Sequence, residues 1–361
     1  MVMDSLNLNT YKVIYMKNIL TIIICQLTQK IAIINSSGKY SGIGHYSYDL
    51  SLILDAKLYT LVYDNKHALY PGKPVTSFLP KFPGRYKFLI KFQNIIFKKF
   101  INNIQNIDHD FIHYSSQEVR PFNSINSSVT VHDVLGIKGK NKIIEHNFDT
   151  YKKFKNVLVD SNHVKNQLID IGFVGNIEVI WPGIKNFYKL ENKLNLRKEL
   201  NLPVNKILLL SVSDDRPRKN LGFLKELLDE MGDQYKLVRV GPPVGNSITF
   251  KNVDEAMLNK IYNACDMMVY PSTEEGFGYP MAEAFMVGLP VVASNIEIFH
   301  EIGGQAAYLC NLNVDDFKSG IKEVLNNKNY YVNTSLERSK VFDYDLYRLN
   351  VIRYFNSIIS E

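Results

Sequence analysis

Cysteine is scarce: 361 residues carry three, Cys25, Cys265 and Cys310, and no two of them form a C-x-x-C pair. An odd number at wide spacings excludes a disulfide framework and gives no zinc signature, so a reducing compartment fits best. Long apolar runs are missing too. MKNILTIIICQL, Met16 to Leu27, is too short and too interrupted to span a bilayer, which takes ~20 apolar residues. Its lysine and apolar stretch imitate the first two parts of a signal peptide, but no small-residue cleavage site follows. The expectation is an extra strand or helix, or loosely ordered residues ahead of a biological start further downstream. No block of like charge stands out either. The net charge of +6 comes from scattered lysines, which excludes a nucleic-acid arm and predicts no nucleic-acid partner. Repeats and low-complexity tracts are absent. With 46% apolar and 22% charged residues, the chain is neither disordered nor fibrous.

A length of 361 residues exceeds what one compact core usually holds, so two domains are expected. Short apolar runs recur, each followed by a polar loop and a helical pattern: KIAIINSS, DFIHYSS, SSVTVHDV, NVLVDSNHV and IEVIWPGI. A second series runs KILLLSVS, YKLVRVG, ACDMMVYPS, PVVAS and AAYLC. That alternation belongs to parallel sheets covered on both faces, hence to two doubly wound α/β units. The polar stretch Lys185 to Pro203 lacks a strand signal. The boundary is placed at Asn186, giving domains 1–186 and 187–341. Ligands of such sheets bind beyond the carboxyl ends of the strands, and with two facing sheets the expected site is the cleft between them.

The stretch YPSTEEGFGYPMAEAF, Tyr270 to Phe285, suits such an edge. A strand ends at Tyr270, a loop carries Glu274 to Gly278, and Pro280 fits the first turn of a helix, where its missing N–H costs nothing. Gly276 and Gly278 permit close backbone approach, so N–H groups there can face an anion or sugar hydroxyls. The bland alternative makes Glu275 a helix cap and Glu283 a solvated acid. The chain resembles a family-4, retaining glycosyltransferase of GT-B fold, glycosyl transferases group 1. The spacing Glu275 to Glu283 with Gly-Phe-Gly-x-Pro between them is similar to that family's donor-sugar motif. The resemblance implies two Rossmann-like domains facing across a cleft. It also implies that Glu275 contacts the donor sugar, that the Gly276, Phe277 and Gly278 backbone holds its hydroxyls, and that Glu283 binds the ribose.

A diphosphate needs cations, because charge grows on the leaving phosphate as the glycosidic bond breaks. SVSDDRPRKNLGFL follows the strand KILLL and places Arg218 and Lys219 just before a helix. Lys219 matches the family's phosphate lysine. Where many members have Gly-Arg this chain reads Val212-Ser213, so the clamp's arginine is Arg218 or Arg216. An exposed charged turn is the alternative. In the first domain SGIGHY, Ser41 to Tyr46, resembles the family's first glycine loop, with Gly42 and Gly44 near the diphosphate or acceptor and His45 where arginine is common. A plain strand-to-helix turn explains it equally. TVHDVLGI resembles the His-Asp segment, which turns His132 toward the donor sugar and gives Asp133 an orienting role. Ser161 is expected to cap a helix. The last helix, 342–361, is expected to pack back on the first domain.

Residues Pro83 to Ile104 pair an apolar stripe, Phe88, Phe92, Ile95, Ile96 and Phe100, with a basic face, Lys87, Lys91 and Lys98. They read either as an ordinary domain helix or as a peripheral membrane contact on anionic lipid at the cytoplasmic face. The resulting expectation is a cytoplasmic, retaining hexosyltransferase-type glycosyltransferase (EC 2.4). It moves a sugar from a nucleotide-diphosphate donor to a hydroxyl of a glycan or lipid-linked saccharide. No cofactor and no metal are expected, and the Asp214-Asp215 and Asp315-Asp316 pairs are expected to be solvated turns. A nucleotide-sugar epimerase or phosphorylase on the same fold, or a non-catalytic relative, are the alternatives.

Overall fold

The computed structural model of the chain describes residues 29–37, 41–62, 75–78, 109–119, 121, 126–135, 148–185, 188 and 190–360. The segment 83–104, the first twenty-eight residues and Asn186 lie outside the described residues, and so do the expectations placed on them. The chain divides into two compact units. Unit 1 comprises Met1–Asp160, Val164–Ile180 and Arg348–Glu361; unit 2 comprises Ser161–His163 and Trp181–Tyr347.

Unit 1 is built on seven strands: β1 (Ile31–Asn35), β2 (Lys57–Val62), β3 (Val75–Phe78), β4 (Phe111–Tyr114), β5 (Ser127–Val131), β6 (Asn156–Val159) and β7 (Asn176–Val179). All pairings are parallel and the order is β3-β2-β1-β4-β5-β6-β7. Between β1 and β2 runs helix α1 (Gly42–Ile53), and between β6 and β7 runs α2 (Asn162–Asp170). The strands β1, β4, β5 and β6 are buried along both faces, as the inner strands of a covered parallel sheet are, whereas the edge strand β7 alternates exposed and half-buried residues. Ile34, Tyr114, Val129 and Val159 join one core, together with Tyr151 and Phe154.

Unit 2 has six strands: β8 (Ile207–Val212), β9 (Tyr235–Val240), β10 (Ile248–Phe250), β11 (Met267–Tyr270), β12 (Val291–Ser294) and β13 (Ala307–Cys310). They are again all parallel, in the order β10-β9-β8-β11-β12-β13. The helices are α3 (Lys193–Glu199), α4 (Leu221–Asp229), α5 (Glu255–Ala264), α6 (Tyr279–Met286), α7 (Glu297–Gly303), α8 (Val314–Asn326) and α9 (Lys328–Ser339). Successive residues of one strand enter different cores. Leu208, Leu210 and Met268 lie in one, Leu209, Met267 and Val269 in the other, so the period of two buries both faces. This order, with the chain reversing direction across the sheet between β8 and β11, is the doubly wound Rossmann arrangement.

Helix α10 (Tyr344–Ile359) closes the chain, and its residues from Arg348 onward belong to unit 1. There the Phe355 ring meets Phe111 and His113 edge-on, at centroid distances of 6.3 and 5.0 Å. The fold is therefore α/β with two Rossmann-like units, the GT-B class expected. Three strands went unread in the sequence, β2, β3 and β10. Among the described residues no helix is long and apolar enough to cross a membrane.

Candidate functional site

The reversal point of unit 2 lies between β8 and β11, and the loops leaving these two strands carry the predicted groups. After β8 the chain makes a short 3-10 turn, Pro217–Lys219, which ends on Asn220 in the left-handed region (φ 54°). Proline presets the turn and asparagine tolerates the left-handed backbone, so Arg218 and Lys219 are delivered together. After β11 the loop ends at Gly278 (φ 104°), and α6 begins with Pro280 in its first turn. The two loops are tied by their backbones: Thr273 N–H donates to the Arg218 carbonyl at 2.8 Å, and Arg218 Nη1 to the Glu274 carbonyl at 2.9 Å.

Glu275 is the centre of this junction. Its Oε1 accepts from Lys219 Nζ at 2.5 Å and from the Tyr270 hydroxyl at 2.9 Å, while its Oε2 accepts from Arg218 Nη1 at 2.5 Å. Glu275 and Lys219 are each 8% exposed. Burial alone would push the Glu275 carboxyl up, yet the Lys219 and Arg218 cations hold it below the ordinary glutamate value. Burial pulls the Lys219 amine below the usual lysine value in spite of Glu275, and the neighbouring Arg218 charge adds to this. Two cations share one carboxylate, so the cluster keeps one net positive charge. Arg216 is not part of it; it is exposed and pairs with Asp214. Of the two candidate arginines, Arg218 is the one that joins Lys219 on Glu275.

Glu283, in the second turn of α6, is half-buried and separate from the cluster. Its carboxylate accepts from the Tyr262 hydroxyl at 2.7 Å and from the Tyr188 hydroxyl. Burial outweighs these bonds and raises its pKa to about 7. A folded value above the unfolded one, ~4.3, means that the group supports the fold at low pH and that this support is lost as pH rises from ~4.3 through 7. Wild-type protein should therefore lose roughly 5 °C of melting temperature relative to Glu283→Gln between pH 5 and pH 8. Parallel pH profiles for the two proteins would refute the assignment.

Gly42 and Gly44 do not form a loop as expected: they are the first and third residues of α1, whose Ser41 cap accepts from Gly44 N–H at 2.9 Å. His45 is exposed on that helix. His132, after β5, has both ring nitrogens engaged, Nδ1 with Asp160 Oδ2 at 2.6 Å and Nε2 with the Ser115 carbonyl at 2.9 Å. Both partners can accept a ring N–H, an arrangement that favours the protonated ring. Burial works against that charge, but Asp160 and Ser115 outweigh it and raise the pKa. The structure joins His132 to the α1 turn through the Tyr46 ring, 4.7 Å away. The orienting carboxylate is Asp160; Asp133 instead accepts from Leu135 N–H and Gln117. His113 shows the opposite state: held between the Ser128 and Thr130 hydroxyls, it is driven by burial, and then by the His132 charge, down to about 3.

Ser161, expected to cap a helix, stands immediately before α2, and its hydroxyl donates to the Gly276 carbonyl at 2.7 Å, which ties down the glycine segment beside Phe277. Asp315 and Asp316 open α8 and are not in a turn. Among the described residues no three His, Cys, Asp or Glu side chains cluster as metal ligands would. Sequence reasoning missed Tyr188, Tyr262, Tyr270 and Asp160, whose roles follow from tertiary proximity.

Unit 2 thus carries a net cationic cluster at the reversal point of a doubly wound sheet, beyond the strand ends where sheets of this kind take ligands. Residues 192–339, the larger part of unit 2, match the family described as glycosyl transferases group 1. The O-antigen chain mannosyltransferase RfbU of Salmonella typhimurium is 26% identical over 220 residues, 54% of this chain and 58% of the relative. The O-antigen biosynthesis glycosyltransferase WclY of Escherichia coli is 30% identical over 145 residues, 35% of this chain and 40% of the relative. The matched part thus spans about half the length of these curated relatives. Sucrose-phosphate synthase from Thermosynechococcus elongatus superimposes with a TM-score of 0.76 at 17% identity, covering 92% of this chain and 99% of the other. Anabaena HepE, solved in complex with UDP and glucose, gives 0.75 at 17% identity, covering 91% and 100%. These likenesses extend over both units and concern the fold.

Proposed function

We propose that the protein transfers a glycosyl group from a nucleotide-diphosphate sugar to a hydroxyl of a glycan or lipid-linked saccharide, with retained anomeric configuration. The observation that carries this reading is the Lys219–Glu275–Arg218 cluster at the strand ends of a segment matching group 1 glycosyltransferases. The anomeric C–O bond breaks with its electron pair passing to the departing phosphate oxygen. The acceptor oxygen forms the new bond, and its proton leaves with the diphosphate. Lys219 and Arg218 neutralise the charge that grows on the phosphate, and their net positive charge is already in place before reaction. Glu275 orients a sugar hydroxyl while keeping both cations in position. Glu283 accepts from the ribose, the Gly276 to Gly278 backbone holds sugar hydroxyls, and Gly42 and Gly44 open the helix turn beside His132. The imidazolium of His132 then acts as a fixed positive charge in unit 1 and not as a base.

No metal ligand set is needed for these roles, and we infer metal-independent turnover. The mannosyltransferase and O-antigen names of the relatives favour a sugar-polymer acceptor. The test is a thermal-shift titration of the full chain with uridine, guanosine, cytidine and adenosine diphosphates in EDTA. Release of diphosphate from the matching sugar donors is then followed with and without saccharide acceptors. A shift with one base, absent in Lys219→Ala, and acceptor-dependent release support the reading. No shift with any diphosphate together with no release would sink it.

A further inference from the structure

Arg239 is fully buried, at 0% exposure, in the middle of unit 2. It lies on β9 in YKLVRV, between Val238 and Val240. Its guanidinium makes four hydrogen bonds, all to neutral groups: Nη1 to Ser211 Oγ at 2.8 Å and Ser213 Oγ at 3.1 Å, Nη2 to the Ser213 carbonyl at 2.8 Å, and Nε to the Pro242 carbonyl at 3.1 Å. Burial draws its pKa down to about 10, which leaves it charged at neutral pH. Among the described ion pairs none includes Arg239. The carboxylate whose charge it feels, Asp214, is already bonded to exposed Arg216 and is felt by Lys219 as well.

Burying a guanidinium without a counter-charge is costly, and a neutral donor could hold Ser213 as well. Three of its four bonds end on Ser211 and Ser213, the residues that finish β8 and open the loop leading to Arg218 and Lys219. The charge therefore sits directly beneath that loop, at the position where the chain carries Val212-Ser213.

We propose that Arg239 is a positioning residue for a nucleoside diphosphate: it locks Ser213 at the end of β8 and lends a buried positive charge to the anion that Lys219 and Arg218 hold. The inference rests on the donor site proposed above. It requires a cation that acts at a distance, through low dielectric and with little screening by salt.

The experiment compares wild type, Arg239→Met and Arg239→Lys by calorimetry. The probes are whichever of the four diphosphates binds wild type best, and the corresponding nucleoside. Arg239→Met should weaken the diphosphate about tenfold while leaving the nucleoside within about twofold, since only the phosphates feel the charge. Arg239→Lys keeps the charge, loses the forked contacts, and should retain the diphosphate preference at a lower melting temperature. A purely structural arginine would instead weaken both probes together, and that result overturns the proposal. Should Arg239→Met not fold, Arg239→Gln carries the same comparison; if neither folds, the guanidinium serves the fold and the proposal is wrong. Diphosphate binding that Arg239→Met leaves intact removes this inference alone, whereas no binding by wild type removes the donor reading as well.

Discussion

Turnover in Lys219→Ala is expected to fall by at least ~10²-fold because it removes a cation facing the charge that grows on the leaving phosphate, and in Glu275→Gln by a similar factor because the carboxylate that fixes both cations is lost. The two losses have different routes. Without Lys219 the leaving phosphate loses its nearest cation, and Glu275 keeps only Arg218 and the Tyr270 hydroxyl. Without the Glu275 charge, both cations lose the partner that fixes them, so donor affinity can be maintained while orientation is lost. Steady-state kinetics should show Lys219→Ala raising KM for the donor and lowering kcat, and Glu275→Gln acting mainly on kcat. A buried pair broken at one member costs about 3–5 kcal/mol, so each variant's melting curve must confirm a folded sample at the assay temperature. Because these residues share one cluster, the double variant should lose less than the product of the single effects. Near wild-type rates in both folded single variants would remove the site assignment.

Much of this site is legible in the chain because its determinants are local. The two strands that carry the loops are apolar runs, Pro217 and Pro280 mark the turns, and Gly278 marks a backbone that L side chains rarely adopt. Lys219 and Glu275 can thus be placed at strand ends from sequence, and their meeting follows once β8 and β11 are neighbours. What resists reading is set by tertiary proximity. Tyr188 and Tyr262, 95 and 21 residues from Glu283 in sequence, reveal themselves only through their hydroxyls on its carboxylate. Asp160 closes a strand like many other acids until His132 is found 2.6 Å away. The strands β3 and β10 escape a sequence reading because each is short and lies at a sheet edge, where no long apolar run is needed. Gly42 and Gly44 misled for a related reason: glycine permits a loop but does not require one, and the Ser41 cap decides for a helix. Arg239 left one trace, a charge between two valines of a strand.

The last expected result concerns how tightly that part of unit 2 is built. Gly241→Ala should destabilise unit 2 by about 3 kcal/mol or more, lowering its melting transition by roughly 10 °C. Gly241 has φ 130°, a region that L side chains rarely enter, and an added Cβ would stand 2.0 Å from the Ser213 carbonyl oxygen and 3.0 Å from Arg239 Nη2. The backbone cannot easily yield. Gly241 N–H donates to the Phe250 carbonyl and Ser213 N–H to the Val240 carbonyl, each at 3.1 Å, so both sides of the contact are held by the sheet. The Ser213 carbonyl is also an acceptor for Arg239. Relief by moving Ser213 would break that bond and shift the loop that bears Lys219, which couples the folding cost to donor affinity. Gly245→Ala separates the two contributions. Gly245 also has positive φ, 51°, but nothing lies within 4 Å of the added carbon, so it carries the conformational cost without the clash, about 1 kcal/mol. If Gly241→Ala melts no lower than Gly245→Ala, the close approach of β9 to the end of β8 is not a constraint on the fold, and the link from Arg239 through Ser213 to the site falls with it.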